Sequence, residues 1–403
     1  MKKLLSLVLV LTLVLALGTG CGGKDTQGGT TGGNGDKVVK VGIFEPASGE
    51  NGAGGKQEVL GIRYAHSLKP TVEIGGETYN VELVEVDNQS DTTKAVTAAQ
   101  NLVSSNVSVV LGSYGSGVAI AGGDVFKTGQ VPAIGISCTN PQVTLGNDYY
   151  FRVCFLDPFQ GTVMANFAKD ELQAKTAYVI TQLGDDYSKG LGEYFKQAFE
   201  GMEGTVLTAE FQTGETDFNA ILTNVMNSDA DVIFVPSSIQ TAPLVIQQAR
   251  QMGITMPILA GDTWENESII KNAGQYATDV YLSTFFDEND DSNPAAAEFV
   301  TGFKAWLNAD SQNLTNNGGG DGVAAGSALG FDAYNVAVAA IEAAGSTAGT
   351  DIQAALPGVA HTGVTGSITF NENGDANKDM AYIKTIDVEN GNFKFLKTQS
   401  VGE

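Results

Sequence analysis

The sequence predicts an α/β fold in two domains, each a parallel sheet with helices on both faces. Three observations predict it. Short β-branched runs alternate with amphipathic runs along the chain, which is the pattern of βα units. About 365 of the 403 residues follow a glycine-rich polar stretch, enough chain for two separate cores. Beyond the N-terminal leader, no stretch reaches the about 20 apolar residues that a membrane-spanning helix needs.

The leader comes first. Met1-Lys2-Lys3 is positive, Leu4 to Leu17 is almost unbroken aliphatic sequence, and Gly18-Thr19-Gly20-Cys21-Gly22 supplies small residues around a cysteine. A charged start, a short apolar core and small residues make an export signal. Residues 1–21 resemble a bacterial lipoprotein signal, in which the cysteine, here Cys21, becomes the new N-terminus and receives lipid. Gly18 stands where such signals usually carry an aliphatic residue, and an ordinary secretory signal with a chance cysteine is the alternative. Residues 22–37 (GGKDTQGGTTGGNGDK) have no apolar side chain and read as a flexible tether. The folded part is expected to begin near Val38, outside the cytoplasm and lipid-anchored to the cell membrane.

The body then alternates. Val38–Phe44 reads as a strand and Gly55–His66 as a helix. Tyr79–Val86 is a strand, and Thr92–Ser104 a helix with Val96, Ala99, Leu102 and Val103 at helical spacing. Val107–Leu111, Val118–Lys127 and Val131–Ile136 continue the pattern, as do Ala177–Thr181, Tyr187–Phe199, Asp231–Val235, Ala242–Met252 and Pro257–Ala260. Ser311 to Ser327 (SQNLTNNGGGDGVAAGS) is polar and glycine-rich and reads as a surface loop. Gly366–Phe370, the turn Asn371-Glu372-Asn373-Gly374-Asp375 and Met380–Asp387 read as strand, turn, strand.

Composition excludes several functions. The chain has 22 basic and 46 acidic residues, a net charge of -24. So acidic a surface repels phosphate backbones, so nucleic acid is a poor partner. Cys138 and Cys154 could pair in an oxidising compartment, but buried free thiols are the simpler expectation. His66 and His361 are isolated, which argues against a Ser-His-Asp or Cys-His engine. No Cys/His/carboxylate group has zinc spacing. Asp287, Asn289 and Asp291 begin like a calcium loop, but Ser292 occupies the required glycine position. A phosphate loop near Lys56 fails because Glu50 and Gln57 replace its first glycine and its Ser or Thr. No metal or cofactor is expected.

Ligands of parallel sheets bind beyond the carboxyl ends of the strands, so the loops there matter most. Leu111-Gly112-Ser113-Tyr114-Gly115-Ser116-Gly117 precedes a helix whose free N–H groups can hold a carboxylate, with the Ser116 hydroxyl as a further donor. Ser116 as a plain helix cap is the alternative. Ile136-Ser137-Cys138-Thr139-Asn140-Pro141 adds a second hydroxyl, Thr139. In Ala260-Gly261-Asp262-Thr263-Trp264-Glu265, Asp262 could bind an ammonium and Trp264 shape the pocket; a solvated carboxylate and a packed indole are the alternative. Tyr187 follows a further strand.

These segments, in order and spacing, resemble the solute-binding proteins of branched-chain amino-acid ABC transporters, the type I periplasmic binding proteins. The similar stretches are VKVGIFEPASGENGAGGKQE, VDNQSDTTKAVTAAQNLV, GISCTNPQVT, YFRVCFLDPFQG, DDYSKG, IQQARQMG, ILAGDTWENES and GFDAYN. The resemblance implies two Rossmann-like lobes joined by three hinge crossings, with the ligand in the interlobe cleft. Lobe 1 would comprise 38–157 plus 286–372 and lobe 2 158–285 plus 373–403. It implies that Ser116 and the Thr139 hydroxyl hold a carboxylate, that the Ser137 carbonyl and Asp262 hold an ammonium, and that Tyr187 lines the cleft. Phe331, in place of the family's tyrosine in Phe331-Asp332-Ala333, joins Trp264 among the expected ligand-binding residues. Gly54 replaces a frequent aromatic, and Ser238 or Ile239 falls where a tyrosine is common. The pocket is therefore expected to be differently shaped and roomier.

The resemblance further implies capture without catalysis. A carboxylate would dock on the lobe carrying Ser116 and Thr139, and closure would bring up Tyr187 and Asp262. The expected partners are an amino acid, branched-chain or related, and a membrane ABC permease, with the protein a monomer. A short amide, urea-like solute or small peptide is the alternative ligand, and a sensor or a carboxylate-based exported hydrolase the alternative role.

Overall fold

The computed structural model describes residues 37–290 and 292–400. The export signal, Cys21 and the tether up to Asp36 lie outside the described residues, as does Asp291.

The first lobe opens with β1 (Val38–Glu45), α1 (Gly52–Leu68), β2 (Thr71–Ile74), β3 (Glu77–Asp87), α2 (Thr92–Ser104), β4 (Val109–Leu111), α3 (Ser116–Gly129), β5 (Ala133–Gly135) and β6 (Tyr150–Arg152). The strands form one sheet in the order β2-β3-β1-β4-β5-β6, parallel except where β2 meets β3. Central β1 pairs Val41 with Leu83 on one side and with Val109 on the other. Helices cover both faces, so β4 and β5 are buried at every position, as parallel strands usually are. The α2 helix starts where Asp91 accepts hydrogen bonds from the Thr93 and Lys94 N–H groups, and it buries Ala95, Ala98, Ala99 and Leu102.

The second lobe holds α4 (Asp157–Asp170), β7 (Thr176–Gln182), α5 (Asp186–Gly201), β8 (Thr205–Phe211), α6 (Asn219–Met226), β9 (Val232–Phe234), α7 (Thr241–Gln251), β10 (Ile258–Ala260), α8 (Glu267–Ala273) and β11 (Val280–Thr284). The chain then returns to the first lobe with α9 (Pro294–Asn308), α10 (Ser311–Asn316), α11 (Ala325–Ala344), α12 (Gly349–Ala355) and the β12 (Ala360–Gly363)–β13 (Gly366–Thr369) hairpin. It ends in the second lobe with β14 (Met380–Asp387) and β15 (Asn392–Ser400). That sheet runs β15-β14-β11-β10-β9-β7-β8, with β14 and β15 antiparallel at one edge. The α1 and α11 helices touch closely enough that a Cβ on Gly61 would strike the Ser327 carbonyl, and one on Gly330 the Glu58 carbonyl. Among the described residues, no helix is long and apolar enough to cross a membrane.

The chain thus crosses between the lobes three times, and buried ion pairs fasten the crossings. Arg152 Nε meets Asp375 Oδ1 at 2.6 Å, tying the first crossing to the third. Lys384 Nζ, on β14, lies 2.5 Å from Glu265 Oε1, beyond β10, and 3.1 Å from Asp287 Oδ2, at the second crossing. Cys138 and Cys154 are buried free thiols.

Two expectations need correction. Ser311 to Ser327 is not all loop: α10 occupies its start and α11 begins inside it. Asp310 caps α10 by accepting the Gln312 N–H, a signal that outweighs the polar composition. The tail does contain the two strands, but they do not pair with each other. β13 pairs with β12, and β14 pairs with β11 and β15, because the lobe crossing lies between them.

Candidate functional site

The site forms where the carboxyl ends of β1, β4 and β5 in one sheet face those of β7 and β10 in the other. Beyond β4, Gly115 takes φ +97, a left-handed conformation that favours glycine. It is the N-cap of α3 and makes no side-chain cap bond. Ser116 therefore does not cap its helix; its buried hydroxyl accepts the Asn140 N–H at 3.1 Å. Beyond β5, the Ser137 and Thr139 hydroxyls are buried, the first beside the Glu58 carboxyl and the second beside that of Asp157. Arg152 holds this loop: Nη1 donates to the carbonyls of Cys138 at 2.6 Å and Asn140 at 2.8 Å, and Nη2 donates to Thr144 Oγ1 at 2.8 Å.

On the opposite wall, Asp185 caps α5 and places Tyr187 in its first turn. The Tyr187 hydroxyl lies 3.1 Å from Asp262 Oδ1 and 3.2 Å from Thr263 Oγ1. Gln160 Nε2 also donates to Asp262 Oδ1, at 2.9 Å. Burial pushes the Asp262 carboxyl up to about 7, with the Gln160 and Tyr187 bonds only partly offsetting it. Trp264 is fully buried within the second-lobe core and donates its indole N–H to Ser237 Oγ at 3.3 Å.

The walls are closed on each other. Tyr114 Oη donates to the Thr263 carbonyl at 3.3 Å, Asn140 Nδ2 to the Asp186 carbonyl at 2.8 Å, and Asn266 Nδ2 to Gln57 Oε1 at 2.9 Å. The Ile239 N–H donates to Asn51 Oδ1 at 3.1 Å. Ser116, Ser137, Thr139, Tyr187 and Asp262 are all brought together and buried.

Phe331 is not among them. It lies on α11 between Phe299, at 4.8 Å between ring centroids, and Tyr64, at 5.8 Å, in the outer aromatic layer of the first lobe. The expected room beside Gly54 is also filled. A Cβ there would meet Cε2 and Cζ of Tyr114 at 2.5 Å, so the Tyr114 ring occupies the space.

Sequence reasoning passed over several site residues. Glu45 ends β1, and its Oε2 accepts the Tyr114 N–H at 2.7 Å while Oε1 has no partner. Glu58 on α1 and Asp157 at the start of α4 are fully buried; the Glu58 carboxyl lies beside Glu45 and the Ser137 hydroxyl, and that of Asp157 beside the Thr139 hydroxyl. Burial raises Glu58 to about 8 and holds Glu45 and Asp157 well above the usual carboxylate range. The available signal was an acid closing an apolar strand in Ile43-Phe44-Glu45-Pro46.

Two α/β lobes closing on buried hydroxyls, backbone donors and an acid define a solute-binding protein. Residues 38–391 match the periplasmic binding protein family. Leu/Ile/Val-binding protein homolog 3 of Brucella melitensis biotype 1 is 28% identical over 347 residues, 84% of this chain and 88% of that protein. The crystal structure of the leucine binding protein LivK from Thermotoga maritima is 34% identical, with a TM-score of 0.83 over 90% of this chain and 99% of that one. LivJ from Streptococcus pneumoniae, solved in complex with isoleucine, is 29% identical, with a TM-score of 0.79 over 91% and 99% of the two chains. The chain belongs to this family, as a substrate-binding protein of the branched-chain amino-acid ABC transporter group.

Proposed function

We propose that the cleft captures an α-amino acid, branched-chain or related, by closure and without catalysis, and delivers it to a membrane permease. One observation carries this reading. The buried hydroxyls of Ser137 and Thr139 lie on one wall, and the buried Asp262 carboxyl on the other. In this reading Ser116, Thr139 and the N–H groups opening α3 hold the ligand carboxylate. Asp262 and the Ser137 carbonyl hold its ammonium, and Tyr187 and Gln160 orient Asp262. Such charge-assisted bonds are about twice as strong as neutral ones. The isoleucine bound by the Streptococcus pneumoniae relative supports an amino acid.

The same reading takes Cys21 as lipidated, residues 22–37 as the tether, and the protein as a monomer outside the cytoplasm. It divides the body into 38–157 plus 286–372 and 158–285 plus 373–403, with ligand shifting the open–closed balance by its preference for the closed form. A thermal-shift screen of the protein against all amino acids tests it, because a ligand of the folded state raises the melting temperature. At least one L-amino acid is expected to stabilise the protein, and Thr139→Val is expected to remove that shift. Stabilisation by no amino acid would end the proposal.

A further inference from the structure

The acids on the first-lobe wall are not explained by a zwitterion. A single ammonium between Asp262 and the Ser137 carbonyl leaves Glu45 Oε1 and both oxygens of Glu58, at 2% and 0% residue exposure, with only each other and the Ser137 hydroxyl beside them. Buried polar groups are rarely left so, and each one costs stability. Their neighbours bring no cation. Tyr114 stands among Glu45, Glu58, Asp262 and Glu265, and Arg152, the buried cation near the Thr139 loop, is bound to Asp375. The Glu45 and Glu58 carboxyls lie side by side at the carboxyl end of β1, next to the Tyr114 ring that fills the space at Gly54.

We propose that Glu45 and Glu58 form a second cation subsite, so that the preferred solute carries a basic side chain, an ammonium or guanidinium, in addition to its α-ammonium. This rests on the amino-acid reading of the cleft and names its substrate class. The free oxygens supply acceptors for the three N–H bonds of an ammonium or the fork of a guanidinium. The net charge of -24 favours the approach of a cation.

A proton held between the two carboxyls, with the Ser137 hydroxyl completing the network, is the rival occupant. The groups facing Glu58 are Glu45 from β1, Tyr114 from the loop after β4, Ser137 and Cys138 from the loop after β5, and Asp262 from the second lobe. None is positive. A cation arriving there expels the proton, whereas a neutral side chain leaves it in place.

Calorimetric titration of the full-length protein with lysine, ornithine, arginine, leucine, isoleucine, valine and 1,4-diaminobutane decides the matter. The expected result is that at least one basic amino acid binds roughly tenfold or more tighter than leucine. Its binding enthalpy should vary with the ionisation enthalpy of the buffer, reporting proton release. Glu58→Gln and Glu45→Gln, nearly isosteric, should each weaken the basic ligand by roughly a hundredfold and change leucine much less. Unliganded melting of both variants checks that they fold.

If the aliphatic amino acids bind and the basic ones bind no better, the second subsite is refuted and the amino-acid reading stands. If diaminobutane binds and no amino acid does, the subsite stands and that reading fails. Binding of nothing in the panel refutes the second subsite, and the amino-acid reading then falls only if the full thermal-shift screen is empty as well.

Discussion

The buried carboxylates at the lobe crossings and those in the cleft are treated in opposite ways. At the crossings, Asp375 meets Arg152, and Glu265 and Asp287 meet Lys384. Glu265 Oε2 also accepts from the Thr284 hydroxyl and the Ala325 N–H, which closes its remaining valence. Burial pulls Lys384 down, but Glu265 and Asp287 outweigh it and hold the ammonium above its ordinary value. In the cleft, Glu45 meets the Tyr114 N–H and Glu58, Glu58 the Ser137 hydroxyl and Asp157 the Thr139 hydroxyl, and none of these is a cation. A buried charge is tolerable only when paired and hydrogen-bonded. The first region carries its counter-ions in the chain. The second carries none.

The contrast is tested most severely at the crossings. Arg152→Met leaves Asp375 buried without its cation and removes the donors that hold the Cys138, Asn140 and Thr144 loop. Breaking one partner of a buried pair costs about 3–5 kcal/mol. A large fall in melting temperature is expected, with or without ligand, and an unchanged melting temperature would show that the pair is dispensable.

The cleft acids should behave the other way. Asp262→Asn removes a carboxylate that the ligand-free fold holds at a cost, so unliganded stability should be unchanged or higher. Ligand affinity should fall by about 2–5 kcal/mol, the usual loss when one side of a buried charged contact is removed. Calorimetry and melting on the same variant give both signs. A variant that loses stability and keeps affinity would place Asp262 with the structural acids.

The pH dependence of the unliganded protein is a smaller effect of the same origin. Glu58 is raised from 4.5 to about 8 and Asp262 from 3.8 to about 7. The folded state therefore keeps protons that the unfolded chain has released. The stability linked to these groups is fully present below their unfolded values and is lost as pH rises through about 7 to 8. Melting temperature without ligand should decline over that window, and Glu58→Gln should flatten the decline. A rise in stability over the same window would contradict the sign.

Much of this architecture was legible because it is local. The α2 helix runs from Thr92 to Ser104, the limits its spacing predicts, since the Asp91 cap and the buried small-residue stripe lie within one segment. The strands before the Ser116, Thr139 and Asp262 loops were equally plain as short apolar runs. What stayed hidden depends on residues far apart in the chain. Phe331 sits on α11, a helix apolar over most of its surface, so sequence alone does not say which face meets the cleft. Gly54 read as lost bulk, but the Tyr114 ring restores it from another loop. Arg152 stood only inside the stretch YFRVCFLDPFQG with no role assigned, and its partner Asp375 lies at the other end of the body. Glu45 and Glu58 stood in plain view, yet their burial beside each other without a cation is a property of the fold only.

Tyr114 offers the finest discrimination between the two regions, because it touches both walls without carrying charge. Its hydroxyl donates to the Thr263 carbonyl of the opposite lobe at 3.3 Å, a long bond, and its ring fills the space beside Gly54. Tyr114→Phe keeps the ring and removes only the bridge. A neutral hydrogen bond contributes about 0.5–1.5 kcal/mol net, and at this length the lower end is expected. Because that bond exists only when the lobes are closed, its loss should appear as a weaker ligand affinity, by roughly two- to threefold, with little change in the melting of the unliganded protein. A loss comparable to that of Asp262→Asn would mean that the Tyr114 hydroxyl acts on the ligand itself, moving it from the closing contacts to the binding set.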